Sequence, residues 1–165
     1  MSIGTYLLDS LEKRGVGEIF GVPGDYVLRF DKLIEQHSIR YINATRENTA
    51  GYMADAYARL RGLGVACITY GVGINIANAL AQAFVESSPL VVISGAAGHS
   101  DFSREIKLHH LINQSLLSLS DSTQLEIFKY VTVGQLILDN PSIAAEQIDH
   151  ILDLCMSVKK PIYIE

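Results

Sequence analysis

The amino-acid sequence predicts an α/β domain: one parallel sheet of about six strands, flanked by helices on both faces. Two observations predict it. Helical and strand-like segments alternate from one end of the chain to the other, and parallel strands need a crossover, usually a helix, between them. GVACITY (64–70) and PLVVISGAA (89–97) are continuous apolar runs too short for a helix, the pattern of strands buried on both faces. At 165 residues the chain has the size of one domain, 1–165, long enough to bury roughly 70% of its unfolded surface without staples.

The elements follow in order. Ile3, Leu7, Leu8 and Leu11 recur at helical spacing and predict a first helix ending near Gly15. EIFGVPGD reads as a short buried strand running into a Gly/Pro turn. A helix over 26–36 and a strand IRYINA come next. RENTAGYMADAYARLRG is a helix ended by Gly62, GVACITY the next strand, GINIANALAQAFVES helical, and PLVVISGAA another strand. Periodicity fades from Gly98 to about Ser120, which predicts a long loop with room for one short helix. YVTVG is a strand, Pro141 to Lys159 a helix, and KKPIYIE the last strand.

Composition narrows the function. The chain is 48% hydrophobic and 19% charged, richer in apolar residues than an average soluble domain. That excess fits buried strands and a surface for a partner. The net charge of −5 and the lack of a basic run argue against nucleic acid. Cys67 and Cys155 lie far apart without CxxC spacing, as for reduced thiols in a cytoplasmic protein. No signal-peptide pattern opens the chain, and no stretch approaches the roughly 20 apolar residues of a membrane span.

In open α/β sheets, ligands bind beyond the carboxyl ends of the strands. Four features fall there: GVPGDY, NATREN, TYGVGIN and the SGAAGHS…LHH loop. Each has a bland reading beside a functional one. Asp25 follows a Val-Pro-Gly turn and suits a helix N-cap. Glu47 sits in the first turn of its helix, where the dipole favours a negative charge. Ala50, Gly51, Ala54 and Ala58 form a stripe of small residues that admits close approach of a second helix, a second subunit or the sheet.

GVGIN can bring backbone close to a flat ligand, but Ile76 holds the third glycine position of GxGxxG, so a nicotinamide-nucleotide site is weakly supported. His109 and His110 are adjacent and would diverge in a strand or helix, whereas a zinc helix needs them four apart. No metal ligand is therefore assigned. The pair is either an exposed surface feature or a proton-transfer pair.

Taken together, IFGVPGDYVL, RENTAGYMADAYAR, ITYGVGINIANALAQAFVESSPLVVISGA, the LHH pair and the closing KKPIYIE resemble the N-terminal pyrimidine-binding domain of thiamine-diphosphate-dependent 2-oxo acid decarboxylases. The pyruvate, indolepyruvate and phenylpyruvate decarboxylase group is the nearest match. Five strings occur in the family's order from about residue 5 to the end, and Gly-Asp-Tyr with His-His favours decarboxylases over acetolactate synthases. The resemblance implies the thiamine-diphosphate-binding fold and a role for each residue. Glu47 would hydrogen-bond N1′ of the aminopyrimidine and favour the imino tautomer that takes the proton from thiazolium C2, helped by burial of its carboxyl. Asp25, His109 and His110 would surround the reacting carbon, steer the oxo acid and supply the proton after CO₂ leaves. Gly71, Val72 and Gly73 would line the pyrimidine pocket.

Two departures stand out. Ile74 occupies a position that is acidic in many pyruvate decarboxylases, and the segment after His110 lacks their Thr-Leu-Gly run, nearer to arylpyruvate-type members. The family holds Mg²⁺ and the diphosphate with a Gly-Asp-Gly…Asn-Asn motif in a C-terminal domain, and no Gly-Asp-Gly occurs here. The resemblance therefore implies half an active site, completed across a homodimer interface by a domain this chain lacks and inactive alone. The alternatives are the complete small subunit of a split decarboxylase, separated by the length of the reading frame, and a noncatalytic interaction domain retaining the fold.

Overall fold

The computed structural model describes residues 1–98, 109–112 and 121–165. Among them, six strands form one sheet: β1 (Glu18–Gly21), β2 (Arg40–Asn43), β3 (Gly64–Ile68), β4 (Leu90–Ser94), β5 (Gly134–Leu136) and β6 (Ile162–Ile164). Their spatial order is β2-β1-β3-β4-β6-β5, and each neighbouring pair is parallel. The helices are α1 (Ile3–Lys13), α2 (Leu28–Glu35), α3 (Glu47–Arg61), α4 (Ala77–Val85), α5 (Thr123–Phe128) and α6 (Ala144–Val158), with a 3₁₀ turn over Val72–Ile76.

Period-2 alternation splits the core into two layers. Ile19, Val65, Cys67, Val91, Ile93, Ile162 and Ile164 pack with Leu7, Leu8 and Leu11 of α1, Ile34 of α2, and Ile148, Ile151, Leu152 and Cys155 of α6. Their alternates Phe20, Ala66, Ile68, Leu90, Val92 and Tyr163 pack with Ala50 and Ala54 of α3, Ala79, Leu80 and Ala83 of α4, and Phe128 of α5. Strands covered on both faces need apolar side chains at every position, which is why GVACI and LVVIS carry no polar alternation.

The small-residue stripe is used inside the domain. A Cβ on Gly51 would lie 2.6 Å from Ile76 and Ala79, and one on Gly64 would lie 1.9 Å from the Ala54 carbonyl oxygen. Of the three readings, the second helix and the sheet are therefore correct. The stripe is buried against the chain's own α4 and β3, so it supplies no surface for a second subunit.

Several boundaries differ from the sequence-based expectation. The strand expected at YVTVG begins only at Gly134, because Val131 N–H bonds Phe128 O (3.0 Å) and Thr132 Oγ1 donates to Phe128 O (2.8 Å). Those bonds finish α5, a helix the sequence reading did not expect. VGINI is a 3₁₀ turn before α4 proper, α6 begins at Ala144 after a turn over 141–143, and α2 spans 28–35 within the expected 26–36. Gly62 ends α3 as expected, in the left-handed conformation (φ 98°). Most of the loop expected over 98–120 lies outside the described residues.

Candidate active site

The strand order reverses between β1 and β3: the chain steps outward from β1 to β2, then returns to place β3 on the other side of β1. Such a switch point opens a crevice beyond the carboxyl ends of the two strands. The turn after β1 carries Asp25, and the turn after β3 carries Gly71 to Asn75. The two are packed together. A Cβ on Gly24 would fall 2.5 Å from Thr69, whose Oγ1 accepts a hydrogen bond from Tyr26 N–H (3.3 Å).

Asp25 is exposed, and the turn after it leads to an α2 whose first turn has no side-chain cap. The helix-cap reading of Asp25 is therefore not what the structure shows. Glu47 is half-buried at the first turn of α3 and accepts a hydrogen bond from Asn75 Nδ2 (3.1 Å).

His109 and His110 occupy a turn. His110 has φ 66°, a left-handed conformation that His tolerates better than most residues. The two rings consequently lie 3.7 Å apart between centroids, inclined at 53°, rather than diverging as adjacent side chains of a strand would. Three contacts hold this turn. Tyr26 Oη donates to His109 O (2.5 Å), Ile112 N–H donates to Asp121 Oδ2 (2.8 Å), and Gly71 lies so close that a Cβ there would come within 2.2 Å of His110 O. Asp25, His109 and His110 bring one ligand atom each to within 4.8 Å of one another.

The glycines of GVGIN serve the protein's own packing. Gly71 (φ 79°) faces His110, and Gly73 faces Ile68 and Gln124. Val72, 47% exposed, offers an apolar side chain outward from this turn. Gln124 was not singled out by the sequence. Fully buried, it accepts from Gly71 N–H (2.9 Å) and donates to Ser94 Oγ (2.8 Å) and Tyr163 Oη (2.9 Å). Tyr70 Oη donates to Asp121 O (2.6 Å) and accepts from Gln124 N–H (3.2 Å), and burial pushes its hydroxyl above the usual tyrosine range. A cavity of about 390 Å³ opens nearby, lined in part by Tyr26, Tyr70, Leu111, Asp121 and Glu165. Burial raises the Glu165 carboxyl there, although it accepts a hydrogen bond from Tyr163 Oη (2.7 Å).

Residues 1–122 match the family described as thiamine pyrophosphate enzyme, N-terminal TPP binding domain. The chain belongs to that family. Over its whole length the chain is 39% identical to an indole-3-pyruvate decarboxylase of Azospirillum brasilense. Across 99% of its length it is 37% identical to pyruvate decarboxylase 2 of Oryza sativa subsp. japonica and 39% identical to an alpha-keto-acid decarboxylase of Mycobacterium bovis (strain BCG / Pasteur 1173P2). It spans only 27–30% of the length of these curated relatives. Among the described residues no helix is long and apolar enough to cross a membrane.

The residues present fit the pyrimidine half of thiamine diphosphate. A half-buried carboxylate, an amide holding one of its oxygens and an outward apolar side chain stand at the switch point. They do not fit Mg²⁺, which takes oxygen ligands, because the cluster able to hold a metal among the described residues has two imidazoles.

Proposed function

We propose that this domain is the pyrimidine-binding half of a thiamine-diphosphate-dependent, non-oxidative 2-oxo acid decarboxylase, releasing CO₂ and an aldehyde in the full-length protein. The relatives' names support the class. The observation that carries the reading is the 3₁₀ turn over Val72–Ile76 and its flank: Asn75 at one end holds Glu47, and Gly71 at the other lies against His110. One short segment thus ties the carboxylate to the histidine pair.

Thiamine diphosphate, when bound, would supply the sink for the electron pair left behind as CO₂ departs. This chain's residues do the rest on their side of the crevice. Glu47 holds and shares a proton at the pyrimidine's N1′, with Asn75 fixing the carboxylate's direction. Val72 would line the pyrimidine pocket with its exposed side chain. Asp25, His109 and His110 orient the oxo acid and carry a proton to the reacting carbon. The diphosphate and Mg²⁺ belong to a C-terminal domain contributed across a homodimer interface, and a cytoplasmic setting suits two buried free thiols. The substrate is a small 2-oxo acid of the pyruvate, arylpyruvate or branched-chain type.

The test is Glu47→Gln in the full-length protein. Hydrogen–deuterium exchange at the cofactor's C2 should slow by about 10²–10⁴-fold, the range of a lost acid–base partner. Unchanged exchange would remove Glu47 from this role, and unchanged decarboxylation would favour a noncatalytic domain. Titration of the 165-residue chain with thiamine diphosphate and Mg²⁺ should show no tight, metal-dependent binding.

A further inference from the structure

We propose that Asp25, His109 and His110 form a site for one divalent transition-metal ion of the zinc–cobalt–nickel type, distinct from any Mg²⁺ site. Adjacent histidines fail as chelators when their side chains point apart. Here the left-handed backbone at His110 turns both rings to the same side, 3.7 Å apart, and the Gly-Asp-Tyr turn brings a carboxylate to them. The three ligand atoms lie within 4.8 Å of one another. Metal–nitrogen bonds of about 2.0–2.1 Å require neighbouring ligand atoms roughly 3–3.5 Å apart, a contraction that rotation of exposed side chains supplies.

The surrounding structure holds these groups in place. Tyr26, next to Asp25, bonds the carbonyl of His109, so the turn carrying the carboxylate is tied to the turn carrying the imidazoles. Both turns rest on the residues after β3, Gly24 on Thr69 and His110 on Gly71. Two imidazoles and one carboxylate suit borderline transition metals and leave coordination positions open to water. Asp25 and His109 are exposed, so an ion can enter from solvent. Among the described residues, no other group of three such side chains comes together. Cys67 and Cys155 are both buried, and His37 has a single carboxylate beside it, Asp9 at 3.2 Å. Occupancy would withdraw the three side chains from proton transfer, so the ion acts as an inhibitor if the proposed function holds. Binding itself does not depend on that reading.

The experiment is isothermal titration of the 165-residue chain with ZnCl₂ in chelator-free buffer without thiamine diphosphate, paralleled by Co²⁺ absorbance. One ion per chain with micromolar affinity is expected, together with d–d bands of a nitrogen–oxygen site. Asp25→Asn, His109→Ala and His110→Asn (asparagine tolerates the left-handed backbone) should each weaken binding roughly tenfold or more. His37→Ala should leave it unchanged. Circular dichroism of each variant separates ligand loss from unfolding. Binding unaffected by all three substitutions, or no saturable binding to the folded chain, overturns the proposal. Metal binding without inhibition of the full-length protein would instead count against the assigned proton-transfer role.

Discussion

The side-chain oxygen of Gln124 accepts the backbone N–H of Gly71 at 2.9 Å, and the same buried amide donates to Ser94 and Tyr163. One side chain thus joins the turn after β3, the end of β4 and the middle of β6. Gln124→Leu would leave the Gly71 N–H and two hydroxyls short of partners. The expected loss is about 1–3 kcal/mol of stability, read by urea denaturation. Amide exchange at Gly71 should also accelerate more than at Val65 in the sheet centre. Equal acceleration at both sites would mean that Gln124 supports the fold generally rather than this turn.

His110→Asn in the full-length protein should lower turnover far more than cofactor affinity. The imidazole stands beside His109 and Asp25, the groups proposed above to carry the proton. A drop of about 10²-fold or more in kcat is expected, with the thiamine diphosphate Kd changed less than tenfold. Loss of cofactor binding with turnover per occupied site intact would contradict the assignment.

Burial pushes the Asp31 carboxyl up to about 6 despite the Cys67 thiol 3.8 Å from Oδ1, and Oδ2 is buried without a hydrogen-bond partner among the described residues. The unfolded chain releases this proton near pH 4, so between pH 4 and 6 the folded state holds more protons. Stability therefore falls as pH rises through that window and stays lower above it. Two pH units are worth ~3 kcal/mol at full strength, and solvent on the open side of Asp31 reduces this to about 1 kcal/mol. Asp31→Asn should match wild type at pH 4 and exceed it by about that amount at pH 7. Parallel stability–pH curves for the two proteins would refute this.

Gly64→Ala places a methyl 1.9 Å from the Ala54 carbonyl oxygen, where backbone rather than a flexible side chain must move. A loss of roughly 3 kcal/mol or more is expected, visible as a lowered Tm. Near-neutrality would show that α3 can lift off β3 at little cost.

Much of the fold was legible because buried parallel strands write themselves as unbroken apolar runs: GVACI and LVVIS needed no partner to be recognised. The short edge strand β5 was not. Gly134–Leu136 becomes a strand only because Ile162–Ile164 lies beside it, and the apolar YVTV before it is spent closing α5. Of the site, Asn75 lay inside the recognised GVGIN string. Gln124 carried no signal, because its partners lie 53, 30 and 39 residues away in the chain.

The sequence by itself determined the layer architecture, the family resemblance and which strand ends carry Asp25, Glu47, Gly71 to Gly73 and the histidines, since these follow from periodicity and local strings. Only the tertiary structure decided how those residues meet. It consumed the small-residue stripe inside the domain, turned the GVGIN glycines toward His110 and Ile68, and set both imidazoles on one side with Asp25. Such outcomes depend on a backbone angle and on contacts between distant strands, which no local pattern encodes.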